Sequence, residues 1–330
     1  MRNDLKVLIL KNRAMGDSII SLSAVQYFKE LYPEAYTYFG VPKWVSPLFN
    51  YSTGFFDEVL PLELRTPGDY LELYRFILDK KINLIIELFP RESTKRFFNL
   101  ISSFSSVHYV YRDYHKLELD ERKGPIIQKD LDTIYKLASA DREKPSHINY
   151  PPILIPGRPV QYIRPRIIIG LVASRMTKMW PIKSYVELAN RIKSDYDVEV
   201  IAPLSSSKMD NEIAEELSKV DLMRSIEVKR IPLSELANEF YGASLYIGND
   251  TGLKHLCIAL GVRTFSFFGP EPPQEWHPYD VSQHQYFYID GLECRTERNY
   301  FCDLSECESM ICLNKISVDS VYEDIRKFLR

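Results

Sequence analysis

Ile247-Gly248-Asn249-Asp250-Thr251-Gly252-Leu253-Lys254-His255 is the stretch that decides the fold. An apolar strand pattern ends at Gly248, and the spacing starts a helix at Thr251. A strand passing directly into a helix is one joint of an open α/β sheet. The first N–H groups of such a helix have no partner within it, and the helix dipole favours an anion beside them. Gly252 permits close approach of a phosphate to the backbone. His255 lies four residues after Thr251, one turn on and on the same face. An aspartate N-cap ahead of a buried histidine accounts for the same residues without a ligand.

The alternation repeats outward from this joint. In the C-terminal half the patterns predict strands over 167–172, 198–203, 245–248 and 264–268. Helices fall over 182–194, 209–220, 233–240, 251–260 and 318–329. The N-terminal half opens with a strand over 5–10, a loop over 11–17 and a helix over 18–32 that Pro33 stops. Strands follow over 36–41, 58–60, 82–89 and 107–111, with helices over 70–80, 93–102 and 127–138. Strands alternating with helices mean parallel sheets covered on both faces. Between the halves, 150–165 carries Pro151, Pro152, Pro156, Pro159 and Pro165, the composition of a linker. We therefore expect two Rossmann-like domains, 1–155 and 156–330, facing each other across a ligand cleft.

Composition bounds the function classes. The 330 residues are 45% hydrophobic, enough for two sizeable cores, and the 42 basic and 45 acidic residues leave a net charge of −3. That balance argues against a nucleic-acid partner. The N-terminus lacks the long apolar region of a signal peptide, and no run approaches the roughly 18 apolar residues of a spanning helix. We expect a cytoplasmic protein, with peripheral contact at the inner membrane as its furthest membrane association. Cys257 falls in a helical pattern and reads as core. Cys294, Cys302, Cys307 and Cys312 cluster near the C-terminus, separated by seven, four and four residues. Structural metal sites usually use close Cys-x-x-Cys pairs, so reduced thiols rather than a metal are expected.

Two further segments sit at carboxyl ends of predicted strands. Ser174-Arg175-Met176-Thr177-Lys178-Met179-Trp180-Pro181 follows the first strand of the second half. Lys178 is a movable point charge suited to a diphosphate oxygen, or else a solvated loop lysine. Met15-Gly16-Asp17 follows the first strand of the chain. Asp17 is either a carboxylate able to accept a hydroxyl proton or a helix N-cap.

These motifs, in this order, resemble glycosyltransferase family 9, which includes the ADP-heptose:lipopolysaccharide heptosyltransferases. The similarity runs along essentially the whole chain. It is carried by Leu8 to Asp17, by Lys178-Met179-Trp180-Pro181, and by Asp250 to His255 with the following Ala259-Leu260-Gly261-Val262 and Phe268-Gly269-Pro270. The closing Cys312-Leu313-Asn314-Lys315-Ile316 is also similar. The resemblance implies a GT-B fold and an inverting, metal-independent transfer from a nucleotide diphosphate sugar, ADP-sugar favoured, to a glycan or glycolipid acceptor. It makes Asp17 the general base and gives the donor diphosphate to Ser174, Lys178, Asp250, Thr251, Gly252, Leu253 and His255. Arg91, Lys95 and Arg96 follow the strand over 82–89 at its carboxyl end and are either contacts for an anionic glycolipid acceptor or a solvated helix face. The chain departs from the family at Ile20, where heptosyltransferases tend to carry His, at Ser23, often a proline, and at 204–208, where an acidic residue is usual. The rival classes are an inactive nucleotide-sugar binder, a metal sensor built on the four cysteines, and a nucleotide-sugar epimerase.

Overall fold

In the computed structural model, which describes residues 4–112, 124–139, 141–295, 302 and 306–329, the chain divides into two units, Met1–Gly157 and Arg158–Arg330. The strands of the first unit are β1 (Lys6–Leu10), β2 (Tyr36–Pro42), β3 (Ser52–Thr53), β4 (Glu58–Leu62), β5 (Leu84–Glu87), β6 (His108–Tyr111) and β7 (Ile155–Pro156). Among the described residues β4-β2-β1-β5-β6 form a parallel sheet, and β3 pairs with β7 antiparallel. Central β1 reads Lys-Val-Leu-Ile-Leu, with Val7 to Leu10 fully buried, as a strand covered on both faces requires.

The helices of this unit are α1 (Met15–Ile20), α2 (Leu22–Leu31), α3 (Pro67–Lys80), α4 (Glu92–Phe104) and α5 (Ile126–Tyr135). Two expectations need correction here. The loop over 11–17 is shorter than expected, because helix begins at Met15, and the helix over 18–32 is broken at Ser21. Asp17 is consequently not an N-cap. Ala14 occupies that position, and Asp17 lies in the first turn of α1, where a negative charge suits the dipole. The helix expected from residue 70 starts three residues earlier. Thr66 and Asp69 form a capping box around Pro67, and the box outranks apolar spacing as a start signal.

The second unit contains β8 (Arg166–Gly170), β9 (Glu199–Pro203), β10 (Glu227–Lys229), β11 (Leu245–Asn249), β12 (Arg263–Phe268) and β13 (His284–Tyr288). They form a parallel sheet in the order β10-β9-β8-β11-β12-β13, the Rossmann order. Its helices are α6 (Ile182–Asp195), α7 (Lys208–Val220), α8 (Leu236–Phe240), α9 (Gly252–Ala259), α10 (Pro273–Trp276), α11 (Ile311–Asn314) and α12 (Val318–Ile325). The sequence patterns missed β10, only three residues long, and β13, whose His-Gln-Tyr-Phe-Tyr lacks an aliphatic run. Among the described residues no helix is long and apolar enough to cross a membrane.

In each sheet the strand order reverses beside the central strand, between β1 and β5 and between β8 and β11. Ligands of open α/β sheets bind outside the carboxyl ends of the strands at such points. At the second reversal the fully buried Tyr246 ring crosses Gly248 and Gly170, and its hydroxyl donates to Asn249 O at 3.0 Å. A Cβ on Gly170 would lie 2.1 Å from that hydroxyl. Gly170→Ala is therefore expected to destabilise the protein by about 1–3 kcal/mol through overpacking. Urea unfolding should show the loss, and Tyr246→Phe in the same chain should return part of it.

Candidate active site

Asn249 ends β11 with its carboxamide buried between two loops. Its Nδ2 donates to Leu171 O at 2.7 Å, and its Oδ1 accepts from Trp180 N at 2.8 Å and from the Tyr185 hydroxyl at 3.0 Å. Trp180 is core: it stacks on Phe267 at 4.2 Å, and Nε1 donates to Ile316 O at 3.1 Å. Lys178, two residues earlier, is thereby carried to the end of β11. Thr251 is the N-cap of α9, so the helix starts at Gly252, one residue later than expected, and Asp250 is not the cap. The Thr251 side chain makes no capping bond, so the first N–H groups of α9, starting at Gly252 and Leu253, lack a side-chain acceptor.

Charge at this corner centres on Asp250. Lys178 Nζ reaches its Oδ2 at 3.0 Å, and the fully buried Lys254 Nζ reaches its Oδ1 at 2.6 Å. Burial raises the Asp250 carboxyl, yet Lys254 and Lys178 together hold it well below the usual carboxylate range. Burial draws Lys254 down to about 8 against the pull of Asp250, so it remains cationic at neutral pH. At Asp250 two ammonium groups meet one carboxylate; the next carboxylate, Glu271, feels the Lys178 charge but is paired with Arg175, so cations still outnumber these two carboxylates at the start of α9.

His255 contributes no charge. Burial pushes it well below its ordinary value, and Nδ1 sits 2.7 Å from the Tyr279 hydroxyl. The nearby His277 and His284 are likewise drawn down by burial, to about 3 and about 4. A neutral imidazole can offer an anion beside Thr251 only a hydrogen bond. Ser174 is exposed on the β8 loop. Arg175 pairs with Glu271 at 2.6 Å.

In the first unit Asp17 is nearly buried. Its Oδ1 lies 3.8 Å from Lys11 Nζ and 3.9 Å from the Arg13 guanidinium. Arg13 stacks over Phe89 and, with Asn12, Lys43, Trp44, Glu63, Arg65 and Arg91, lines a cavity of about 290 Å³ at the carboxyl ends of the strands, where Lys43 pairs with Glu63 at 3.4 Å. Arg91 also donates to Asn12 O at 3.1 Å. Lys95 lies over the Tyr111 ring and Arg96 is exposed, and neither lines this cavity. Sequence reasoning missed Lys11, Arg13, Lys43 and Arg65 in the first unit, and Asn249 and Lys254 in the second. Lys11, Arg13, Asn249 and Lys254 stood inside or beside quoted motifs, and their position at strand ends was the available signal.

Cys257 is fully buried. Cys294, Cys302, Cys307 and Cys312 line a narrow cavity of about 20 Å³ with Arg295 and Thr177. Among the described residues no group of three or more His, Cys, Asp or Glu side chains is arranged to hold a metal ion.

The family model for glycosyltransferase family 9 (heptosyltransferase) matches residues 127–306, more than half of the chain. The ADP-heptose lipopolysaccharide heptosyltransferase II of E. coli superposes with a TM-score of 0.72 at 16% identity, covering 98% of each chain. A family 9 glycosyltransferase from Veillonella parvula superposes at 0.73 and 16% identity, covering 99% of this chain and 98% of its own. These likenesses show the fold, the two-lobed GT-B class. A putative glycosyltransferase of Haemophilus influenzae is 28% identical over 152 residues, 44% of this chain and 39% of that protein. The chain spans about half or less of the length of the curated relatives it matches.

Glu87 closes β5 beside β1, buried and accepting from Thr94 at 2.6 Å and Tyr109 at 2.5 Å. Burial raises its carboxyl from 4.5 to about 7, against the pull of those hydrogen bonds and Arg91. A carboxyl raised in the folded state favours folding fully below its unfolded value, and that contribution is lost as pH rises through about 7. Glu87→Gln should therefore stabilise the protein at pH 8, by up to about 3 kcal/mol, and much less at pH 5. Thermal unfolding across that range checks both the sign and the window.

Proposed function

The chain belongs to glycosyltransferase family 9, and from that premise we propose that it moves a heptose or related sugar from an ADP-sugar to a hydroxyl of a lipopolysaccharide-type acceptor. The observation that carries the proposal is the surplus charge of Lys178 and Lys254 over Asp250 at the uncapped start of α9. The donor diphosphate binds there, on the first N–H groups of α9 and on Lys178, with Ser174 and His255 supplying neutral hydrogen bonds. ADP is favoured as the nucleotide because the E. coli protein of the same fold is an ADP-heptose enzyme.

Transfer is a single displacement. The acceptor oxygen attacks the anomeric carbon as the bond to the diphosphate breaks, inverting that centre. Asp17 takes the acceptor proton, and the lysines and helix N–H groups meet the charge that develops on the leaving diphosphate without requiring a metal ion. The cavity holds Arg13, Lys43, Arg65 and Arg91 against the single carboxylate of Glu63, which favours an acceptor bearing phosphate or carboxylate, and Trp44, 57% exposed, offers a face for a sugar ring.

Release of ADP from ADP-heptose in the presence of a phosphorylated core oligosaccharide tests the activity. Asp17→Asn should lower kcat about 10²–10⁴-fold with donor affinity retained. Lys178→Ala should weaken ADP binding and cost about 10²–10³-fold in turnover. A wild-type rate in either variant removes that residue from its role. Replacing Lys43, Arg65 and Arg91 together by Ala should raise KM for the phosphorylated acceptor and leave KM for ADP-heptose unchanged. An unaltered acceptor KM would move the acceptor elsewhere.

A further inference from the structure

Lys11 follows β1 with an ammonium fully removed from solvent, standing between carboxylates from two different helices. Asp130 on α5 accepts from Nζ at 2.6 Å, while Asp17 on α1 is 3.8 Å away, outside hydrogen-bonding range. Both Asp17 Oδ1 and Asp130 Oδ1 are buried without a hydrogen-bond partner. Among the described residues, Arg13, beside Asp17, and the buried Arg112, which acts on Asp130, also face the cluster. Asp130 plays no part in the motifs at the strand ends, and 119 residues separate it from Lys11.

We infer that Asp130 is a positioning residue for Asp17: by holding the Lys11 ammonium at 2.6 Å, it keeps that cation at a long ion-pair distance of 3.8 Å, out of hydrogen-bonded contact with the carboxylate that accepts the acceptor proton. The inference rests on Asp17 being the base. An ammonium on a flexible four-carbon stem turns to whichever carboxylate offers the better pair. A carboxylate in hydrogen-bonded contact with a buried ammonium is a weak base, because protonating it breaks the pair and strands the cation. With Asp130 as the closer partner, most of the Lys11 charge is already matched. Burial pushes the Asp130 carboxyl up, against Lys11 and Arg112. On acidification Asp130 therefore gains a proton early and releases Lys11 toward Asp17.

Asp130→Asn in the full chain tests this. With ADP-heptose and a phosphorylated core oligosaccharide as substrates, kcat should fall about tenfold or more. The acid limb of the pH–rate profile should move to lower pH, and calorimetric affinity for ADP should stay at the wild-type value. A residue that only supports the fold would not move that limb. The double variant Lys11→Met/Asp130→Asn removes the stray cation and should recover activity to within about threefold of wild type. Two results overturn the positioning role: an Asp130→Asn protein with wild-type rate and profile, or a folded double variant no faster than the single one. If Asp130→Asn does not fold, the double variant alone decides. Near-wild-type turnover supports the role, and a folded but inactive protein overturns it. Asp17→Asn run alongside separates the two failures. A wild-type rate there removes the base itself. An inactive Asp17→Asn beside an unaffected Asp130→Asn removes only the positioning role.

Discussion

The Asn249 carboxamide binds Leu171 O, Trp180 N and the Tyr185 hydroxyl at once. It therefore locks the loop after β8 to the end of β11 at the point where the sheet reverses. Because the amide is buried, each of these bonds must be made, and an unmet partner costs more than the bond itself contributes. Trp180, clamped between Phe267 and Ile316 O, sets how far that loop extends. Lys178 reaches Asp250 only because both anchors hold. Tyr246, laid across Gly170 and Gly248, fills the space beneath the same corner. The meeting of Lys178 with Asp250 thus depends on this one buried amide.

Each unit buries an ammonium under its candidate site. Lys254 lies below the start of α9 against Asp250, and Lys11 below α1 against Asp130. Burying a charge is costly unless it is paired, and breaking such a pair is costlier still, of the order of 3–5 kcal/mol. These lysines therefore hold their carboxylates in one geometry, and the exposed or half-buried groups nearby, Lys178 and Arg13, are left to meet ligands. The neutral state of His255, His277 and His284 follows from the same burial.

Much of the fold was legible in the sequence because its signals are local. Apolar runs such as Val7 to Leu10 and Ile167 to Ile169 mark buried parallel strands, and the proline-rich stretch marks a change of unit. Errors fell where local signals were weak or competed. Gly16 suggested a loop where a helix turn formed, the Thr66–Asp69 capping box outranked apolar spacing, and the aromatic, polar β13 carried no aliphatic run. In the candidate site the residue types at strand ends were readable, but of Arg91, Lys95 and Arg96 only Arg91 lines the cationic cavity. A helix face looks the same in sequence whichever way it turns.

By itself, the sequence determined the alternation of strand and helix, the two-unit organisation and the placing of Asp17, Lys178 and Thr251 after strands. All of these depend on residues close along the chain. Only the tertiary structure decided which charges meet. Lys178 and Asp250 are 72 residues apart, and Lys11 and Asp130 are 119 apart. Their pairing arises from Coulomb attraction between groups that the fold brings together, and the neutrality of His255 from desolvation. Desolvation depends on what is packed around a group in space, and no local pattern records it.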